Sequence, residues 1–172
     1  MSDEEEYDYQ LYGYPRRLGD SGITLPCMRA MAAILTSAFR PEKITAVIAS
    51  KGEHESVLFL VWDWFAPGLT IVPDGFGTHG GEGGSGLSSV LGLIKFYRIR
   101  LRQVWLGDSK AFQALALGEL PEDVFKEIVE DEIDYNWGFY PVSEVEKVRR
   151  EGKQILIVKA IGGNLHWQIP LP

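Results

Sequence analysis

Between Asp74 and Gly86 the chain reads Asp-Gly-Phe-Gly-Thr-His-Gly-Gly-Glu-Gly-Gly-Ser-Gly. Seven of these thirteen residues are glycines, out of 19 in the chain. Each glycine adds unfolded-state entropy that folding must remove, so such density needs a physical reason. The expected reason is a loop whose backbone approaches a ligand closely. Successive peptide N–H groups in glycine-rich turns form a concave nest for anions, and a helix directly after the nest adds its N-terminal partial charge. Gly75, Gly77, Gly80, Gly81, Gly83, Gly84, Ser85 and Gly86 are therefore the candidate ligand-binding residues. Asp74, His79 and Glu82 place an imidazole and two carboxylates in the same stretch, a set suited to moving protons.

The spacing matches G-x-G-x-x-G twice, at Gly75-Gly77-Gly80 and at Gly81-Gly83-Gly86. Asp108 lies twenty-two residues beyond Gly86, where a dinucleotide-binding unit carries its ribose-binding acid. The departures are specific. Pro73 and Asp74 occupy the tight turn, the loop is too long, and no second mononucleotide half has room to follow. Leu87-Ser88 stands where a Walker A loop needs Lys-Ser/Thr, and Leu87 replaces the last glycine of a G-x-S-x-G elbow. Asp108 has a simpler use as the cap of the helix after it.

Other candidates are weaker. His54 sits at a hairpin tip, and His166 beside Trp167 reads as a packed strand residue. No histidine spacing specifies a metal, and no cofactor is specified. Lys95, Arg98, Arg100 and Arg102 put four cations in eight residues, with the three arginines on one strand face as a guarded edge or an anion contact. Aromatic clusters at Trp62-Trp64-Phe65 and Trp137-Phe139-Tyr140 supply core or stacking surface. Cys27 is the single cysteine, which excludes an internal disulfide and fits a buried thiol.

The elements that must position these residues follow from periodicity. Leu25, Met28, Ala32, Leu35 and Phe39 predict a helix capped by Thr24 and stopped by Pro41. Ile44 to Ser50 and Ser56 to Trp62 predict an antiparallel hairpin, and Leu69 to Val72 a third strand cut off by Pro73. A helix follows from about Leu87 to Tyr97, then a strand over Arg98 to Leu106. Short helices are expected over Ala111 to Leu117 and after Pro121. Ser143 and Glu146 form a capping box for a last helix closing at Gly152, before a terminal hairpin of Gln154–Ile161 and Leu165–Leu171.

These elements imply an α/β fold in one domain. A mixed sheet of five to seven strands carries helices on its faces, with two antiparallel hairpins around a strand–glycine loop–helix–strand unit. At 172 residues the chain buries enough surface for one core. The net charge of −7 is uneven. Five acids fall in the first eight residues, and eight face Lys126 alone between Glu119 and Asp134. Residues 1–10 therefore read as an acidic, disordered tail and 11–172 as the domain. A pI near 5.0 argues against a dedicated nucleic-acid binder, and no apolar run is long enough for a membrane helix. A soluble, cytoplasmic protein is expected.

Two functions are compatible with this reading. One is a small domain holding an anionic, nucleotide-like or phosphorylated molecule at the glycine loop and helix N-terminus. The other is an acidic protein-interaction module of the inhibitor, antitoxin or immunity type.

Overall fold

The computed structural model describes residues 7–51, 56–78, 81–107, 109–159 and 166–171. The β-branched run Ile44–Ser50 forms β2 and pairs antiparallel with β3, Ser56–Asp63, in register from Ile44 opposite Asp63 to Ser50 opposite Val57. A turn leads into β4, Gly68–Gly77, antiparallel to β3. Helix α3, Gly81–Phe96, then crosses to β5, Arg100–Trp105, which runs parallel to β2. Two-residue strands close the edges, β1 (Arg16–Arg17) parallel to β4 and β6 (Ile133–Asp134) antiparallel to β5. The sheet order is β1-β4-β3-β2-β5-β6, a mixed sheet of six strands.

Alternation along the strands feeds two cores. Ala46, Ile48, Phe59, Val61 and Val72 face α3 and α2, Thr24–Thr36. Val47, Leu58, Leu60, Trp62 and Ile71 face α4, Ser109–Ala116, and α5, Glu122–Asp131. A separate three-strand sheet, β7 (Val145–Arg150), β8 (Lys153–Lys159) and β9 (His166–Pro170), presses Leu156 and Val158 into the first core. The result is one mixed α/β domain, and the expected terminal hairpin lies in this second sheet.

Six expectations are corrected. The glycine run is not a loop: α3 begins at Gly81, six residues before the expected start. Glycine costs a helix about 1 kcal/mol relative to alanine, but here the missing side chains let neighbours in. A Cβ at Gly84 would lie 2.5 Å from the Tyr140 hydroxyl, at Gly86 2.5 Å from Thr24 Cγ2, and at Gly92 2.4 Å from the Ser143 carbonyl. Burial of every residue from Gly86 to Ile94 fits a helix sunk between layers.

Pro73 does not end β4. Residues 73–75 bulge between the Phe59–Val72 and Val57–Phe76 pairs, where a missing N–H costs no ladder bond. Thr24 is not the cap of α2. Ile23 holds that position, and the Thr24 hydroxyl donates to the Gly75 carbonyl. That helix stops at Thr36, so Phe39 is exposed rather than part of the buried stripe.

The expected helix after Ser143 is strand β7, because the Ser143 N–H donates to the Ser88 carbonyl of α3 (3.1 Å) and Val145 pairs with Val158. Glu151 and Gly152, at φ 52° and 76°, make the two-residue turn into β8. Arg98 leaves the strand face assigned to it, since it turns the chain at φ 55° before β5 begins.

The stretch 1–10, expected as a tail, is described from Tyr7 onward. The Tyr7 ring packs edge-on against Trp62 and Trp64 at 5.3 and 5.2 Å, and its hydroxyl donates to Glu132 Oε1 (2.7 Å). Tyr9 stacks on Phe125 and donates to the Leu120 carbonyl. A single helical turn, α1 (Tyr9–Tyr12), is capped by the Asp8 carboxylate.

Candidate functional site

The residues chosen for their chemistry are spread over three local settings. Asp74, Gly75 and Gly77 belong to β4 and its bulge. The Asp74 carboxylate accepts from the Ser21 hydroxyl and its carbonyl from the Gly22 N–H, so it braces the approach to α2. A Cβ at Gly75 would strike the Ile23 carbonyl at 2.5 Å and Cys27 Sγ at 2.8 Å. That glycine is where α2 rests on the sheet.

Gly81, Glu82, Gly83, Gly84, Ser85 and Gly86 form the first turns of α3. Gly81, at φ +64°, and Glu82 are exposed, Gly83 lies against the Gly77 N–H, and Gly84 and Gly86 are buried in packing. The Ser85 carbonyl accepts from the Ser89 hydroxyl (2.9 Å). His79, Gly80 and Asp108 lie outside the described residues, as does His54. Among the described residues no hydrogen bond or ion pair joins Asp74 to Glu82, and no three His, Cys, Asp or Glu side chains converge as a metal would require. The cavities of about 520, 580 and 650 Å³ among the described residues are lined by other segments. Cys27 is buried, and burial pushes its thiol pKa up, the opposite of an activated nucleophile.

A different constellation gathers at the far end of β3 and β4. A groove of about 580 Å³ lies between the segment 11–16, the segment after α2 and the β3–β4 turn. Four large apolar side chains stand on it: Tyr14 is 86% exposed, Phe39 82%, Phe65 52% and Leu11 51%. Phe39 and Phe65 lie 5.8 Å apart, and the Arg40 guanidinium sits 5.1 Å above the Phe65 ring. The Asp63 carboxylate accepts from the Phe65 and Ala66 N–H groups, both at 3.0 Å, which fixes the turn. Beside it Arg40 pairs with Glu42 at 3.7 Å, and the Arg16 guanidinium donates to the Thr70 hydroxyl at 3.4 Å.

Sequence reasoning placed Phe39 in a core stripe and saw Phe65 only as one of an aromatic cluster. Tyr14, Arg16 and Arg40 carried no pattern at all. Pro41, which ends the helical run, was the available signal that Phe39 escapes the core.

A third cluster is ionic. Arg102 spans Glu132 and Asp134, with Nε 3.4 Å from Glu132 Oε1 and Nη1 2.6 Å from Asp134 Oδ1. Burial raises the Glu132 carboxyl pKa, against the opposing pull of the Tyr7 hydrogen bond and Arg102. Burial and the hydrogen bond to Glu132 both push the Tyr7 hydroxyl up.

The fold thus defines a mixed α/β domain with an open groove on which Leu11, Tyr14, Phe39 and Phe65 stand beside Arg16 and Arg40. No family model and no curated protein matches the chain. It is similar in fold to a chain of respiratory complex I from Thermus thermophilus, with a TM-score of 0.57 at 18% identity, over 73% of this chain and 98% of that one. At that identity the likeness speaks for the fold. No helix among the described residues is long and apolar enough to cross a membrane.

Proposed function

We propose that the chain is a protein-interaction module whose groove receives an acidic, apolar-anchored segment of another cytoplasmic protein. The groove at Leu11, Tyr14, Phe39 and Phe65 carries this reading, because side chains that large are rarely left together on a free surface. Arg16 and Arg40 favour acids flanking the anchor, and aromatics with arginine are the residue types that dominate binding at interfaces. The similar fold found within a respiratory complex agrees with a role in assembly.

The competing reading is an anionic, nucleotide-like or phosphorylated ligand at Gly75–Gly86, with Asp74, His79 and Glu82 moving protons and Asp108 on a ligand hydroxyl. Its support is the exposed first turn of α3 at Gly81 and Glu82. The close approaches at Gly84 and Gly86 already account for much of the glycine density without a ligand.

Peptide-library selection on the full chain separates the two. Selected peptides should combine Phe, Trp or Leu with Asp or Glu, and bind Phe39→Ala/Arg40→Ala at least about tenfold more weakly, as expected for a central anchor. Equal binding to the variant, or no selected peptide, would overturn the groove. A thermal-shift titration with inorganic phosphate and ATP forms the second arm. A rise in Tm that survives Phe39→Ala/Arg40→Ala would support the anion site instead.

A further inference from the structure

We propose that the outer face of the β7–β9 sheet docks on the acidic α5 layer of a second copy of this chain. The two surfaces lie on opposite sides of the molecule. Leu156 and Val158 of β8 point into the core shared with α2 and α3, whereas α5 belongs to the core on the other face of the six-strand sheet.

Side chains alternate along a strand, so Ile155 and Ile157 point away from that core, and both are only half-buried. The register sets Val148 opposite Ile155 and Ile155 opposite Pro170, an apolar stripe running across all three strands. At its hairpin end Arg150 and Lys153 share this outer face, while Lys147 and Arg149 are exposed on the other face; none of the four has an ion pair among the described residues. Glu146 and Glu151 are the acids on the same hairpin, so it is net basic in a chain whose net charge is −7.

The α5 layer is the electrostatic complement. Glu119, Asp123, Glu130 and Asp131 are exposed, and the one cation of the segment, Lys126, is engaged with Glu122 at 3.7 Å. Leu117, 69% exposed beside Glu119, supplies an apolar contact for the Val148–Ile155 stripe.

Because the patches face opposite ways, one molecule cannot bring its own two together. A two-fold pairing would set each patch against its like. Only a head-to-tail contact matches basic to acidic, and such a contact repeats into chains or rings unless capped. The net negative charge makes other approaches repel, which selects this orientation.

Sedimentation velocity on the full chain tests the contact. The wild type should associate with rising concentration in about 50 mM salt, with a Kd at least about tenfold weaker in about 500 mM. Arg150→Glu/Lys153→Glu and Asp123→Lys/Glu130→Lys should each be monomeric alone at the same Tm as the wild type. Mixed, they should associate again, since the native hairpin of one meets the native α5 of the other. A wild type that stays monomeric, association indifferent to salt, or a mixture that remains monomeric would each overturn the proposal.

Discussion

Gly92 shows how a single residue decides whether α3 can exist where it does. Alanine there would gain about 1 kcal/mol of helix propensity, but its Cβ would lie 2.4 Å from the Ser143 carbonyl and 3.2 Å from a Val145 methyl. Backbone cannot swing aside, so the overpacking cost of about 1–3 kcal/mol should win. At Gly84 the obstacle is the end of a tyrosine side chain, which can turn away. Urea denaturation should therefore rank Gly92→Ala as clearly destabilising and Gly84→Ala as the milder change. A stabilised Gly92→Ala would mean that the helix does not sit against the Ser143 segment. The Ser143 N–H, bonded to the Ser88 carbonyl, ties the same two segments from the other side.

At the scale of elements, legibility followed how local the cause was. The β2–β3 hairpin is written in its own β-branched runs, and α5 in the spacing of Val124, Phe125 and Ile128, so both could be read from the sequence. The glycine helix could not, because what excuses each glycine lies far away in the chain, at Thr24, Tyr140 and Ser143. The same holds for β7, whose charged residues read as a helix face until pairing with β8 fixes them. The groove joins Tyr14, Phe39 and Phe65 from three segments, and no spacing rule links them.

The segment from Tyr7 to Tyr12 behaves as an element too. Tyr7 lays its ring on Trp62, Trp64 and Phe125 and its hydroxyl on Glu132. Tyr7→Ala should cost about 1–3 kcal/mol, from a half-buried aromatic lost together with a hydrogen bond to a buried carboxyl. Tyr7→Phe should cost less, since the ring stays. Chemical denaturation monitored by Trp fluorescence would report both, and an unchanged midpoint for Tyr7→Ala would show the ring to be a bystander.

Across the whole molecule, Glu132 ties four elements together, and pH exposes which force governs the junction. It follows α5, precedes β6, pairs with Arg102 of β5 and accepts from Tyr7. Burial raises its carboxyl pKa, and the attractions of Tyr7 and Arg102 only partly offset that. A carboxyl whose pKa is higher folded than unfolded holds its proton more tightly in the folded state. Its contribution to stability is then complete below the ordinary glutamate value of about 4.3, and is lost as pH rises through the raised folded value. Glu132→Gln keeps the shape and an acceptor for Tyr7 but has no proton to lose. Near pH 4 the variant should match the wild type, whose carboxyl is protonated in both states. Toward pH 7 the variant should gain on it steadily. Thermal melts of the two proteins across that range measure the difference directly. A variant that instead loses ground as pH rises would show the Arg102 ion pair outweighing burial, and the junction would then be held by charge rather than merely tolerating it.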